Sequence, residues 1–143
     1  MTLRPRVPLR RAFLCALGAG ATLAAAGVPA QPAREAAGKE AVEIDVARAD
    51  LAAGRAVLID IREPQEHATG VAPGARLLPS SQFSSRWTEI PKEGQRVYLV
   101  CATQNRSRSA LRALRERGPY DNVRYVTGGM TEWSRRGLPL VKP

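Results

Sequence analysis

Histidine and cysteine are scarce in this chain: one His and two Cys among 143 residues. One His and one Cys outside the N-terminal stretch cannot furnish a zinc site of the usual kinds, so no metal centre is expected. A papain-like Cys/His enzyme would have to pair His67 with Cys101, and that family's local pattern around the cysteine is missing. Aromatic residues make up only 5% of the chain against 44% hydrophobic residues overall, which predicts an aliphatic core. The length allows one domain and little more, and no internal repeat divides it. Acidic residues are also few, 13 against 22 Lys and Arg, for a formal charge of +9.

Much of that charge sits at the start. Arg4, Arg6, Arg10 and Arg11 precede an uncharged, weakly apolar run from Ala12 to Val28, and Val28-Pro29-Ala30 offers the small residues that a signal peptidase reads. Residues 1–30 therefore read as an export signal, with residues 31–40 as a flexible lead-in and residues 41–143 as the domain. A retained membrane anchor is the competing reading, because about 17 residues approach the length of a spanning helix. Gly18, Gly20 and Gly27 weaken both helicity and membrane affinity. Arg10-Arg11-Ala12-Phe13-Leu14 resembles a twin-arginine motif, and an ordinary Sec signal stays open. The expected location is the periplasm or the exterior, with no stable membrane association after cleavage. Setting the four arginines aside leaves 18 basic residues against the same 13 acids, or +5. Such a balance calls for no nucleic-acid partner.

Cleavage would also remove Cys15 and leave Cys101 as the sole thiol, in a compartment where thiols tend to be oxidised. Such a cysteine is either a buried, inert hydrophobe or a reactive group, and the surrounding pattern decides. Ala41 to Ile44 reads as a short strand, and Asp45 as the cap of a helix running to about Ala53. Ala56 to Ile61 is a continuous apolar run, as expected of a strand buried on both faces of a parallel sheet. A short helix from Pro64 to Ala68 follows, then a strand from Gly74 to Leu78 and a helix from Ser80 to Trp87. Arg96 to Val100 is the clearest strand and runs directly into Cys101. The polar stretch to Arg106 reads as a loop, Ser107 to Arg117 as a helix, and Val123 to Val126 as another strand. Met130 to Arg136 reads as the closing helix, with Trp133 in the core. Alternating strands and helices predict an α/β domain whose small, mainly parallel sheet is flanked by helices.

In open α/β sheets, ligands bind at the carboxyl ends of the strands, where Cys101 stands. Successive backbone N–H groups in the loop after it can curl into an anion nest, and the next helix points its positive end at the same place. Both favour a thiolate, and both suit an anionic substrate. Cys101 is thus the candidate nucleophile. Ala102, Thr103, Gln104, Asn105, Arg106 and Ser107 are the candidate substrate-binding residues, with no cofactor. Arg108, Arg112 and Arg115 lie at helical spacing and read as a solvated face, with an acidic protein partner as the alternative.

Three segments resemble the motifs of rhodanese-like domains. The first is Asp60-Ile61-Arg62-Glu63-Pro64 with Glu66, Gly70 and Pro73-Gly74-Ala75. The second is the loop Cys101-Ala102-Thr103-Gln104-Asn105-Arg106-Ser107, and the third is Gly128-Gly129-Met130 with Trp133. Gln104 stands where the family most often has Gly, and Val71 where a His is frequent. The resemblance covers about Ala41 to Leu138. It implies a rhodanese fold and a persulfide on Cys101, loaded from thiosulfate or a similar small anionic donor and passed to cyanide or a thiol. Asp60 and Arg62 read as a pair supporting the site. A cysteine phosphatase is the nearest enzymatic rival, but its loop places Arg six residues after the cysteine, where this chain has Ser107. A catalytically silent binding or redox-sensing module is the other alternative.

Overall fold

The run Arg96–Val100 forms the middle strand of a five-stranded sheet in the computed structural model, which describes residues 40–143. The readings of residues 1–39 as signal and lead-in fall outside the described residues. In chain order the elements are β1 (Ala41–Val42), α1 (Ile44–Ala52), β2 (Ala56–Asp60), α2 (Pro64–His67), β3 (Arg76–Leu77), α3 (Phe83–Arg86), β4 (Arg96–Val100), α4 (Asn105–Arg115), β5 (Val123–Val126) and α5 (Gly129–Arg135). The strands lie in the order β1-β5-β4-β2-β3, and every pair is parallel. The two edge strands are only two residues long, which leaves little unpaired backbone for another chain to join.

Strand alternation decides which way the chemistry faces. Val97, Leu99 and Cys101 project to one side, into a core with Ile59, Ile61, Leu111 and Leu114. Tyr98 and Val100 project to the other, against Ile44, Ala47, Met130 and Trp133. Helix α4 therefore covers the first face, and α1 with α5 covers the second. Cys101, one residue past β4, keeps the alternation and turns its thiol to the α4 side. Both faces are buried, so the middle strand reads as an unbroken apolar run.

Several boundaries differ from the sequence reading. Ile44 belongs to α1 rather than to β1, because pairing with Tyr125 and Val126 needs only Ala41 and Val42, while Ile44 is buried under the helix. Glu43, not Asp45, precedes the first turn of α1, and its side chain makes no capping hydrogen bond. β3 is confined to Arg76–Leu77, since Gly74 sits in a turn at φ 76°. The segment Ser80 to Trp87 is one α-helical turn between two 3-10 turns rather than a single helix. Helix α4 starts at Asn105, two residues ahead of Ser107, which shortens the loop after Cys101 to three residues.

The amino end of the sheet is fixed by a polar cluster far from that loop. Buried Asp50 of α1 accepts hydrogen bonds from Tyr98 Oη (2.5 Å), Arg96 (2.7 Å) and Arg55 (2.7 and 2.9 Å). Burial alone would raise its carboxyl, but the bonds from Tyr98, Arg96 and Arg55 outweigh burial and hold it at about 2. Burial first, and the bond to Asp50 second, push Tyr98 up to about 12. A carboxyl held below its unfolded value stabilises the fold above that value, and the contribution disappears as pH falls from about 4 to about 2. The depression corresponds to about 2 kcal/mol. Urea unfolding followed against pH should therefore lose stability through that window in the wild type and show a shallower acid limb in Asp50→Asn. Equal acid limbs in the two proteins would remove Asp50 from this role.

Candidate functional site

Cys101 lies at the carboxyl end of β4 and is 1% exposed, with Sγ 3.5 Å from Ser107 Oγ in the first turn of α4. Ser107 Oγ is also 3.1 Å from the Gln104 carbonyl, to which it can donate. The loop between them is shaped mainly by α5. Met130 N–H donates to the Cys101 carbonyl and Thr131 N–H to the Ala102 carbonyl, each at 2.8 Å. A trans peptide points its C=O and the following N–H in opposite directions. Because those two carbonyls face α5, the N–H groups of Ala102 and Thr103 face away from it. Among the described residues, no backbone carbonyl accepts from the N–H groups of Ala102, Thr103, Gln104, Asn105, Arg106 or Ser107. Three come from the loop and three from the first turn of α4, and together they make a run of free donors beside the thiol. Such a run suits an anion, whether thiolate, persulfide or an oxyanion.

Gly129 makes the close approach possible. A Cβ there would stand 2.2 Å from the Thr103 carbonyl oxygen and 2.4 Å from that of Cys101, and the backbone is left-handed at φ 58°. Gln104 occupies the position where a glycine resemblance pointed to unusual angles, yet its φ of −170° is extended backbone open to any residue. Its side chain serves the loop instead, since Gln104 Oε1 accepts from Gly128 N–H at 3.0 Å.

The charges near the loop are paired. The Arg106 guanidinium donates to both oxygens of Glu66, at 2.6 and 2.7 Å. Those bonds are the main reason the Glu66 carboxyl sits at about 2, against the opposing effect of burial, so the pair stays intact at neutral pH. Glu66 and Glu63 form a reciprocal capping box at the start of α2, and Glu63 in turn accepts from the N–H and hydroxyl of Ser81. One carboxylate network therefore ties α4, α2 and the turn at Ser80. The expected free positive charge of Arg106 is matched by Glu66. Arg108 lies 5.5 Å over the Tyr125 ring and Arg115 is bonded to Glu40, while Arg112 is exposed.

Asp60 and Arg62 are both buried, beside the end of β2. Arg62 donates to both Asp60 oxygens at 2.7–3.0 Å and to the Gly70 carbonyl at 2.9 Å, bracing the chain after α2. His67 is buried against this pair, its Nε2 3.5 Å from Asp60 Oδ1 and without a hydrogen-bond partner. It is a buried packing residue beside Asp60. Among the described residues no group of three or more His, Cys, Asp or Glu could hold a metal ion, and no helix is long and apolar enough to cross a membrane.

Cys101 and residues 102–107, the candidate nucleophile and substrate-binding residues of the sequence reading, run from the end of β4 through the loop into the first turn of α4. That reading missed the Glu66–Arg106 pair and the clamp from α5. The spacing Glu63-x-x-Glu66 after a strand, with Pro64 between, signals the capping box but not the contact of Glu66 with Arg106. Nothing local in the sequence linked Gly129 to the loop.

The site is a buried cysteine at a strand end, close to a run of free amides at a helix start, in a parallel α/β domain. The chain belongs to the rhodanese-like domain family, whose model matches residues 43–136. A protein of Allochromatium vinosum named sulfurtransferase is 40% identical over 87 residues, which are 61% of this chain and 79% of that protein. A rhodanese-related protein of Thermoplasma volcanium has a similar structure, with a TM-score of 0.65, 24% identity, and coverage of 73% of this chain and 99% of that one. A human single-domain sulfurtransferase gives a TM-score of 0.60 at 27% identity, covering 67% of this chain and 96% of that one.

Proposed function

We propose that this protein is a sulfurtransferase that carries sulfur as a persulfide on Cys101. The Cys101 thiolate attacks the outer sulfur of thiosulfate, the S–S bond breaks, sulfite leaves with the electron pair, and the persulfide remains in the nest. Cyanide or a thiolate then takes that sulfur and restores the thiolate. No net oxidation of the protein occurs, and no cofactor is called for. The observation that carries this reading is the run of six unpaired N–H groups from Ala102 to Ser107 beside the Cys101 thiol. Fixed donors can stabilise the attacking thiolate and the anionic persulfide alike. The sulfurtransferase named in Allochromatium vinosum and the human single-domain one support it. Residues 1–30, read as an export signal, would put this chemistry outside the cytoplasm.

Production of thiocyanate from thiosulfate and cyanide is the assay that tests the reading. Its absence, with every donor tried, would favour the silent binding module instead, a reading to which the 1% exposure of Cys101 lends some weight.

The Glu66–Arg106 pair makes a graded expectation. Glu66→Gln keeps an acceptor for Glu63 N–H but removes the charge that offsets Arg106. The KM for thiosulfate should fall by up to about fivefold, the upper range for a partly exposed ion pair, with kcat changed less. Arg106→Ala leaves Glu66 unmatched near the nest and should raise KM by a similar factor. Steady-state kinetics of both variants read this, and KM values moving in the same direction would contradict the electrostatic account.

A further inference from the structure

Beside the nest lies an open cavity of about 320 Å3, lined by Ile61, Ser80, Phe83, Asn105, Arg106 and Ala110, with Ser109 at its edge. Cys101 is not part of its wall, but the two are neighbours. Asn105 and Arg106 belong to both the cavity and the run of free amides. Ile61 and Cys101 share one core cluster, on which Phe83 and Ala110 pack. Ile61 N–H also donates to the Val100 carbonyl at 2.9 Å, one residue before the thiol. The cavity therefore opens on the same face of the sheet as Cys101 and next to it.

Its chemistry differs from that of the nest. Ile61, Phe83 and Ala110 are apolar. Arg106 is the one charged residue in the lining, and Glu66 already occupies its guanidinium. Asn105 and Ser109, both exposed, and Ser80 add neutral polar groups, and the Ser80 hydroxyl is already used in donating to the Ile61 carbonyl. Such walls offer a dianion little beyond what the nest already provides, while Ile61, Phe83 and Ala110 favour an apolar chain that can be removed from water. The volume falls at the small end of ligand pockets, about 300–1,000 Å3, which fits a small molecule better than a polypeptide segment.

We propose that this groove binds the organic body of the sulfur acceptor, a small thiol that carries an apolar chain and no other charge. The proposal rests on the sulfurtransferase reading of Cys101. The acceptor thiolate attacks the outer sulfur of the Cys101 persulfide, the S–S bond between the two protein-held sulfurs breaks, the acceptor leaves as a persulfide, and Cys101 recovers its thiolate. The nest holds the reacting sulfurs and the groove holds the chain behind the attacking one.

The test uses protein loaded with thiosulfate and discharged by mercaptoethanol, mercaptopropanol, mercaptobutanol and mercaptohexanol, compared at equal thiolate concentration and normalised to their rates with a small-molecule persulfide. The second-order rate of discharge should climb along the series, by up to about fourfold for each methylene that the groove buries. Ser109→Trp, which places a ring at the edge of the groove, should bring the ratio of the mercaptohexanol rate to the mercaptoethanol rate toward one. Cyanide discharge and circular dichroism are read on the same samples. A flat series in the wild type, or a slope untouched by the tryptophan, overturns the assignment of the groove while persulfide chemistry stands. Failure of the protein to take sulfur from any donor sinks the sulfurtransferase reading, and this proposal with it.

Discussion

Cys101→Ser is expected to abolish turnover of thiosulfate while leaving the domain folded. The side chain is enclosed in the core that α4 closes, so the substitution must be judged first as a packing change. Serine is smaller by a fraction of a methylene and keeps the shape of the site, and changes of that size cost less than about 1.5 kcal/mol. The new hydroxyl lies next to Ser107 Oγ, which stands 3.5 Å from the sulfur in the wild type and can partner it. The fold should therefore survive. Chemistry should not, because a hydroxyl does not ionise under these conditions and forms no persulfide. Cys101 is the one cysteine among the described residues, so no second thiol stands in for it. Thiocyanate formation should drop to background with a melting temperature within a few degrees of wild type. Retained turnover would move the nucleophile elsewhere, and an unfolded variant would make Cys101 a structural residue.

Gly129→Ala is expected to damage the site from the opposite side. The added Cβ would meet the carbonyl oxygens of Thr103, Cys101 and Ala102 at 2.2, 2.4 and 2.7 Å, closer than atoms can approach. Those carbonyls are what α5 holds, so the loop must retreat and the run of amides must turn with it. Overpacking of this kind costs about 1–3 kcal/mol, and the left-handed backbone adds about 1–2 kcal/mol for a residue with a side chain. A displacement near 1 Å at the reacting group can lower the rate of sulfur loading by on the order of a hundredfold. Gly137→Ala separates the two causes, since Gly137 is also left-handed at φ 64° but has nothing within 4 Å of an added Cβ. It should lose only the backbone part of the stability and load sulfur normally. Comparable loss of loading in both variants would show that stability alone, rather than loop position, is being measured.

The contrast between these two glycines marks where sequence reading stops. The middle strand and the place of Cys101 at its end were legible because a doubly buried parallel strand has a continuous apolar signature and ligands gather at strand ends. The start of α4 was misplaced by two residues because Asn105 and Arg106 are equally at home in a polar loop or in a first helical turn, where no intrahelical bond is yet required. Ser80 to Trp87 reads as one helix because serines stand at its start, but only Phe83–Arg86 forms an α-helical turn. The clamp of α5 on the loop joins residues more than twenty-five apart, and the Arg106–Glu66 pair joins residues 40 apart. Neither leaves a periodic trace. The resemblance to the family motifs placed Gly128-Gly129 and Glu66 among the marked positions without saying what they touch.

The fate of Arg106 shows why such contacts matter to function. Read alone, it adds positive charge to an anion site. Held by Glu66, it becomes a strut whose charge is largely spent, and the attraction for an anion falls to backbone amides. Amide donors stabilise an anion without adding a formal charge that water must be stripped from, which suits the proposed persulfide, a small group to be both held and released.

Intact-protein mass spectrometry after incubation with thiosulfate, followed by peptide mapping, tests the central claim most directly. The account predicts a gain of one sulfur atom, located on the peptide that contains Cys101, and its removal by cyanide. A protein that keeps its original mass with thiosulfate and with organic persulfide donors, or that carries the sulfur on any other residue, would contradict it.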